Sequence, residues 1–374
     1  MGIVRVILAL AVVAAHSPFN DGLLFVGGRN AVQMFYVISG FLISLILNNS
    51  PAYQHVKTFY INRWLRLYPV YYVVAGLSLV VIPFVDPPFL EAWRHLPSFA
   101  AVCVAFANLL LVGQDWIMFS AVHHGHFEWT ANFQNSDIDV WRALLVPQAW
   151  TLGVEISFYL IAPFVLKKTW KVIALLVASI AARAYLVHLG LAFHDPWTYR
   201  FFPAELCLFL LGALTERHAL PRWKRLSERH KSLPLAGTCV LIAVSAGWFA
   251  IPMMQLQKMV LLFLLFIPLL PLSFLFQNQY RFDKKIGDLS YPIYIVHHLV
   301  VQVIAFGLVR FALGPFVLTA LNMLVTLVAA YLLDLFVAEP VEALRKRIAK
   351  SHGGAISVEG CRQKQQSPGT AIGA

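Results

Sequence analysis

The chain has 374 residues, of which 59% are hydrophobic and 13% are charged. This balance is too apolar for an ordinary soluble domain and predicts an integral membrane protein. The net charge of +11 does not indicate a nucleic-acid partner, because the basic residues fall in short clusters between apolar runs, as the positive-inside rule requires.

Ten apolar runs predict ten membrane-spanning helices. The first run, 2–16, is short for a span, which needs roughly 20 apolar residues. We interpret it as a retained helix because it lacks a small-residue cleavage site and further spans follow. The alternation of basic clusters predicts that both ends of the chain are cytoplasmic. The ten segments are 2–16, 32–47, 69–85, 149–166, 172–190, 202–216, 235–251, 260–276, 289–309 and 316–337.

One further apolar run, 99–112, is not counted among the ten. If it crossed the membrane, the basic cluster Lys167, Lys168 and Lys171 would lie outside, against the positive-inside rule. We therefore expect a non-crossing or re-entrant segment. The connection 113–148 is then extracytoplasmic, and its histidines and carboxylates are interpreted as a solvated loop, because they lack a zinc-protease spacing.

These features predict one domain, residues 1–350. Its fold class is all-α: a polytopic membrane protein with a bundle of ten transmembrane helices and a central cavity. The tail 351–374 is rich in Gly, Ser and Gln and is predicted to be a disordered cytoplasmic segment. Because the cysteines show no metal-ligand spacing, we expect neither a disulfide nor a zinc site. They are Cys103, Cys207, Cys239 and Cys361.

Two ionisable residues lie in the first helix. Arg5 and His16 are eleven residues apart, so they fall on nearly the same helical face, about 16 Å apart along the axis. Ionisable groups inside a span are costly and usually functional. The alternative is that Arg5 anchors the cytoplasmic end of the helix and His16 caps its far end.

Two other helices carry titratable groups at the same estimated height. Glu155 and His297 each lie twelve residues from a cytoplasmic lysine, which places both about 18 Å above it, close to the level of His16. A carboxylate beside an imidazole suits a histidine that takes a proton from a hydroxyl nucleophile. The alternative is a polar pair that only fixes helix packing.

Smaller patterns complete the set of candidates. Arg63 and Arg66 are one turn apart, which suits a polyanion such as a phosphate, although anchoring at the cytoplasmic surface also explains a basic residue there. Ser39 with Gly40 permits close helix packing or leaves room for a slender acyl chain. Tyr291 and Tyr294 share a helical face. His298 joins that face and His297 lies to its side, and either histidine could line the cavity.

The order of these motifs resembles the membrane-bound acyltransferase 3 family. The matching pieces span nearly the whole chain: Arg5 with His16, FYVISGF (35–41), RWLRLYP (63–69), WTLGVEISFYLIAP (150–163), IGDLSYPIYIVHH (286–298) and AEP (338–340). The departures are Tyr36 for the usual phenylalanine, Thr151 for a frequent serine, and Ile156 for a second acidic residue. The last departure leaves Glu155 as the one carboxylate in its motif.

The resemblance implies an O-acyltransferase of the cell inner membrane. Its donor and cofactor would be acyl-CoA, usually acetyl-CoA, with no metal. Its acceptor would be a hydroxyl of a carbohydrate or lipid-linked glycan, such as an exopolysaccharide or O-antigen. Its other partners would be membrane lipids, with no nucleic acid.

The resemblance also implies roles for the matched residues. Arg5 and His16 would be essential, Glu155 would belong to the functional core, and His297 rather than His298 would be the matching histidine. The donor phosphates would bind Arg63 and Arg66, assisted by Arg5. Our hypothesis is that His16, oriented by Glu155, acts as general base or briefly carries the acyl group. The residues expected to contact substrate are Ser39, Tyr291, Tyr294 and His297.

Two alternative functions use the same residues. One is a transporter or flippase of glycan intermediates, although the paired, broken helices common in such proteins are not found in the sequence. The other is an acyltransferase that acts on a small secreted metabolite.

Overall fold

The structure, a computed structural model, describes residues 1–18, 25–197, 199–308 and 311–351. The predicted disordered tail, apart from its first residue Ser351, and Cys361 lie outside these residues. Helices form most of the described chain, and one two-stranded hairpin accompanies them. The helices are α1 (Gly2–Ala15), α2 (Gly28–Asn49), α3 (Val56–Val85), α4 (Pro87–His95), α5 (Ser98–Leu110), α6 (Gln114–Ile117), α7 (Trp150–Val165), α8 (Thr169–His188), α9 (Phe202–Leu214), α10 (Leu220–Arg229), α11 (Leu233–Gly247), α12 (Gln255–Gln279), α13 (Arg281–Asp288), α14 (Ser290–Leu308), α15 (Pro315–Leu333) and α16 (Glu339–Ser351).

Each of the ten predicted spans coincides with a helix, but not all of these helices are long enough to cross a membrane alone. Helices α1, α7 and α9 have 14, 16 and 13 residues. By length and composition, the described chain has seven candidate spans, so the count of ten remains a prediction. The seven are Gly28–Asn49, Val56–Val85, Thr169–His188, Leu233–Ala250, Gln257–Gln279, Arg281–Leu308 and Pro315–Ile348.

The third helix begins earlier than predicted. It starts at Val56 and continues through Pro69, the predicted first residue. Proline is tolerated inside a membrane helix when neighbouring groups satisfy the freed backbone. The carbonyl that loses its partner is that of Leu65, four residues before Pro69. Nearby, the hydroxyl of Tyr291 donates to the carbonyl of Leu67 at 2.5 Å and ties α3 to α14. The two arginines of the RWLR motif therefore lie on a helix rather than in a loop.

The basic segment after α9 is helical. A π-helical turn at Thr215–Ala219 joins α9 to α10, so the helix continues to Arg229. A second π-helical turn, Asp334–Ala338, joins α15 to α16.

The connection between α5 and α7 agrees with the predicted solvated loop at His124, His126 and Glu128, which are exposed, whereas its first residues are packed. Gln114 and Asp115 on α6 are 0% and 2% exposed. Strands β1 (Ser120–His123) and β2 (His126–Trp129) pair antiparallel, and the turn between them has a positive φ at both central residues, as a type I′ turn requires. This hairpin also departs from the predicted all-α class.

The excluded run 99–112 forms α5, which has 13 residues and is about 20 Å long. That length is shorter than the roughly 30 Å hydrocarbon core of a bilayer. Several of its large apolar side chains are exposed, including Phe99, Phe106 and Leu109. The length agrees with the prediction that this segment does not cross.

Helices α2 and α9 cross closely in the core. A Cβ atom on Gly40 would lie 1.9 Å from the carbonyl oxygen of Phe209, and one on Gly212 would lie 2.0 Å from that of Val37. Only glycine permits this approach, as expected of small residues at membrane helix interfaces. Helix α1 packs between α2 and α14, while α8 packs on α9 with large apolar side chains exposed on its outer face, as in a helix that contacts lipid.

Candidate active site

A cavity of about 630 Å³ lies among α1, α2, α3, α7, α13, α14 and α16. Seven of the nine predicted site residues line it, although they come from five helices far apart in sequence. They are Arg5, Ser39, Arg63, Arg66, Glu155, Tyr291 and Tyr294. Basic side chains outnumber acidic ones in its lining, because Lys284, Lys285, Arg345 and Lys346 also contribute.

Helix α7 presents one polar face to this cavity. Thr151, Glu155 and Tyr159 are spaced four residues apart and therefore share that face. The hydroxyl of Ser39 donates to Glu155 Oε1 at 2.6 Å, and the hydroxyl of Tyr159 donates to the same oxygen at 2.5 Å. These bonds hold the carboxylate in place within the basic cavity.

The start of α1 is tied to α13, and this contact positions Arg5. The carboxylate of Asp283 accepts from the backbone N–H groups of Gly2 at 2.7 Å and Ile3 at 2.9 Å, as an acidic group at a helix N-terminus does. One turn later, Arg5 is 8% exposed and donates from Nη2 to Ser290 Oγ at 2.7 Å. The guanidinium is therefore fixed at the cavity wall by a neutral partner.

Arg63 and Arg66 lie on α3, one turn apart. Arg63 is 6% exposed, and its Nη2 donates to Asn62 Oδ1 at 2.8 Å, while its guanidinium lies 5.8 Å from the ring centres of Phe59 and Tyr159. Among the described residues, neither arginine is hydrogen-bonded to a carboxylate. Buried or half-buried guanidinium groups of this kind are suited to bind an anionic ligand.

His16 and His297 lie outside the lining of this cavity and contact each other. Their ring centres are 5.0 Å apart, and His298 lies 6.3 Å from His16. His16 is exposed at the end of α1, whereas His297 is fully buried.

The protonation of both rings follows from their hydrogen bonds. His16 Nδ1 lies 2.9 Å from the carbonyl oxygen of Val12, and His297 Nδ1 lies 2.6 Å from that of Tyr294. A carbonyl oxygen only accepts hydrogen bonds, so each Nδ1 carries the hydrogen. In the neutral ring, Nε2 is then left with a lone pair, which is the state required of a base.

The predicted contact between His16 and Glu155 is not present in the described part of the chain. Tyr294 lies between them: it lines the cavity, and its ring centre is 5.8 Å from that of His297. Thr151 Oγ1 donates to the Tyr294 hydroxyl at 2.9 Å, and Glu155 lies one turn, about 6 Å, further along α7.

Two residues of the cavity lining, Tyr159 and Arg345, and their neighbour Asn62 were not identified as site residues from the sequence. The sequence does contain a signal for Tyr159, since it lies four residues from Glu155 and therefore on the same helical face. Asn62 and Arg345 had no local signal, because Arg345 reaches Asn62 from 283 residues away.

The cysteines and possible metal ligands add no further site. Cys103, Cys207 and Cys239 are free thiols. Within the described ranges, no group of three or more His, Cys, Asp or Glu side chains is arranged to hold a metal ion.

The helical membrane fold and the basic cavity beside paired histidines are features of a membrane-bound transferase. The model of the acyltransferase domain family, acyltransferase 3, matches residues 1–335. The chain belongs to this family and is an acyltransferase.

Three relatives are similar to the chain. The exopolysaccharide production protein ExoZ of Rhizobium meliloti is 24% identical over 80% of this chain and 84% of its own length. The peptidoglycan O-acetyltransferase OatA of Listeria monocytogenes is 29% identical over 42% of this chain, and the match spans only 22% of OatA. An uncharacterized protein of Aquifex aeolicus is 24% identical over 55% of this chain and 91% of its own length. No solved structure matches the chain.

Proposed function

We propose that the protein is an inner-membrane O-acyltransferase that moves an acetyl group from acetyl-CoA to a hydroxyl of a carbohydrate acceptor. The observation that carries this proposal is the arrangement of a basic cavity and a histidine pair on two sides of Tyr294. Residues 1–350 would form a ten-span bundle with both ends cytoplasmic, and residues 351–374 would form a cytoplasmic tail.

The names of two relatives support a polysaccharide acceptor. OatA is named as a peptidoglycan O-acetyltransferase and ExoZ as an exopolysaccharide production protein. The family and these relatives support an enzyme, and no feature of the described residues favours the transporter alternative over it. The acceptor of this chain is therefore proposed as a cell-surface glycan, and a small secreted metabolite remains an outcome for the test below.

The cavity suits an acyl-CoA donor in volume and charge. Ligand pockets commonly enclose about 300–1,000 Å³, and this one falls within that range. Arg63 and Arg66, with Arg5, would bind the phosphates, because planar guanidinium groups pair with phosphate oxygens. The thioester end would then extend past Ser39 and Tyr291 to Tyr294. Glu155 would hold Ser39 and Tyr159 in the wall of this cavity rather than orient His16.

His16 would act from the other side of Tyr294. Its Nε2 would take the proton of the acceptor hydroxyl while the hydroxyl oxygen attacks the carbonyl carbon of the thioester. The C–S bond then breaks, the new ester leaves with the acceptor, and the thiolate of CoA takes a proton in the cytoplasm. The proton on His16 would be released outside, and His297 would position the His16 ring. An alternative is that Nε2 attacks first and carries the acetyl group.

The direct test uses the purified protein in proteoliposomes. Acetyl-CoA carrying a radiolabel in its acetyl group is added, together with a polysaccharide or a small hydroxylated metabolite as acceptor. Label on the polysaccharide, dependent on the protein, is the expected result. Label on the metabolite alone would replace the proposed acceptor class, and absence of label from both would overturn the proposed donor.

A further inference from the structure

We propose that Arg345, on α16, and Arg63 together form a subsite for a phosphate monoester at the cytoplasmic end of the donor cavity. This inference rests on the proposed function and names the part of the donor that the subsite binds. Helix α16 begins at Glu339, so it lies after residues 1–335, which the family model matches.

The two guanidinium groups meet at one acceptor. Asn62 Oδ1 accepts from Arg63 Nη2 at 2.8 Å and from Arg345 Nη2 at 2.9 Å. A single amide oxygen therefore holds two cations beside each other, although α3 and α16 come from opposite ends of the chain. Like charges this close repel each other, so the pair is most stable when an anion binds between them.

Each of the two guanidinium groups also keeps an unused donor. Arg63 Nε and Arg345 Nε are buried and have no hydrogen-bond partner among the residues described. Arg345 pairs through Nη1 with Glu342, one turn away on α16, and the side chain of Glu342 is 42% exposed. One half-exposed carboxylate thus accompanies two guanidinium groups, which leaves the pair with a net positive charge.

The chemistry of this pair favours a phosphate monoester over a phosphodiester or diphosphate. A monoester carries about two negative charges at neutral pH and has three strong acceptor oxygens. Two planar guanidinium forks can each pair with two oxygens of such a group. Coenzyme A carries one phosphate monoester, on its ribose, in addition to a diphosphate.

The position of the arginine pair also fits the end of coenzyme A that carries the phosphate monoester. Along α3, Arg66 lies one turn beyond Arg63, toward the level where Tyr291 binds Leu67 and Arg5 binds Ser290. Tyr294 lies further in the same direction. The thioester has to reach Tyr294, so the opposite end of the molecule, with the monoester, would lie at Arg63 and Arg345. The diphosphate would lie between them, near Arg66 and Arg5.

The test compares the affinities of acetyl-CoA and acetyl-3′-dephospho-CoA for the full-length protein in phosphatidylcholine nanodiscs. These zwitterionic lipids carry no phosphate monoester that could occupy the subsite. The wild-type protein should prefer acetyl-CoA by roughly tenfold to a hundredfold, the usual effect of hydrogen bonds to charged groups. Arg345→Ala should remove this preference by weakening acetyl-CoA alone. The matched control is Arg347→Ala, which removes an exposed guanidinium from the same helix and should retain the preference.

A second variant should increase the affinity for acetyl-CoA instead of lowering it. Glu342→Gln removes the carboxylate that competes for Arg345, so it should tighten acetyl-CoA severalfold and leave the dephospho analogue unchanged. A misfolded protein would not give this result, so the variant tests the subsite even if Arg345→Ala fails to fold. Equal affinity of the wild-type protein for the two donors, or an unchanged ratio in both variants, would overturn the subsite and leave the acyl-CoA donor standing. Failure of the wild-type protein to bind either donor would instead overturn the proposed function.

Discussion

The imidazole of His16 combines an exposed ring with a defined hydrogen position. Its Nδ1–H is committed to the carbonyl of Val12, so Nε2 is the nitrogen available to an incoming hydroxyl. Its neighbour His297 is buried and donates to Tyr294 in the same way. This pairing makes His16 the residue whose removal should affect chemistry without affecting the donor cavity.

Replacement of His16 by alanine should lower acetyl transfer at least about a hundredfold, the usual minimum for loss of a general base. Affinity for acetyl-CoA should stay within about twofold, because His16 does not line the basic cavity. Both quantities are measured on one preparation in nanodiscs. His126→Ala, which removes an exposed histidine of the hairpin, is the control and should resemble the wild type. Retention of transfer by His16→Ala would refute its role as base or acyl carrier.

Helix packing depends on residues that have no side chain. At the crossing of α2 and α9, the backbone oxygen atoms of Phe209 and Val37 occupy the space where a Cβ would stand on Gly40 and Gly212. Because Ser39 precedes Gly40, the same crossing sets the position of the hydroxyl that holds Glu155. A change in this crossing should therefore affect both stability and the donor cavity.

Gly40→Ala should destabilise the protein by about 1–3 kcal/mol, the usual cost of overpacking, because the helices have to move apart. The midpoint of thermal unfolding in detergent measures this effect. Gly76→Ala on α3 is the matched control, since a Cβ there would meet no atom within 4 Å. It should leave stability unchanged or raise it by up to about 1 kcal/mol through helix propensity. Equal midpoints for the two variants would show that the crossing is looser than described.

Helix α6 buries a carboxyl group against α7. Asp115 is 2% exposed, and a Cβ on Gly153 would lie 2.5 Å from its Oδ1. Burial raises the pKa of Asp115 to about 7, although the backbone N–H groups of Asp115 and Trp116 partly oppose this shift. The carboxyl group lies in the connection between α5 and α7, and its neutral form is the one that the folded protein favours.

The stability of the wild-type protein should therefore fall as the pH rises from about 4 to about 7. Over this range the unfolded chain loses a proton that the folded chain retains, which disfavours folding by at most roughly 4 kcal/mol. Asp115→Asn cannot ionise, so its thermal midpoint should rise relative to the wild type between pH 5 and pH 8. The exposed Glu228→Gln serves as control. A midpoint difference that does not change with pH would contradict a neutral, buried Asp115.

The sequence predicted local features better than long-range ones. Apolar runs located the helices, because they depend on neighbouring residues. For Gly40 the sequence left two interpretations open, close helix packing or room for an acyl chain, and the crossing of α2 and α9 agrees with the first. The start of α3 was missed because Pro69 usually begins or ends a helix, whereas here α3 continues through it. The separation of His16 from Glu155 and the approach of Arg345 to Asn62 depend on how distant helices pack, which no spacing in one segment determines.

The charge distribution predicts how the whole molecule is oriented in the membrane. If both ends are cytoplasmic, helix α10 faces the cytoplasm with its basic residues, and the hairpin of β1 and β2 faces outward. Arg225 and His126 are exposed representatives of these two regions. Because both residues are exposed, each can be replaced to test the proposed topology without disturbing buried residues.

Single cysteines at these positions, in a variant without the native cysteines, should react differently with a membrane-impermeant maleimide. His126→Cys should be labelled in intact cells, and Arg225→Cys only after the membrane is permeabilised. The assay is gel-shift labelling of the full-length chain. Labelling of both positions in intact cells, or protection of His126→Cys, would contradict the proposed orientation.

The Tyr294 ring, between the arginine-lined cavity and the histidines, has a consequence for the energetics of the reaction. In the proposed mechanism the polyanionic nucleotide stays on one side and only an uncharged acetyl group passes the ring. One proton is released outside and one is taken up by the thiolate inside, so each turnover moves one net positive charge outward. A membrane potential that is negative inside opposes this movement by about 2.3 kcal/mol per 100 mV. Dissipation of the potential with an ionophore should therefore leave transfer intact or accelerate it.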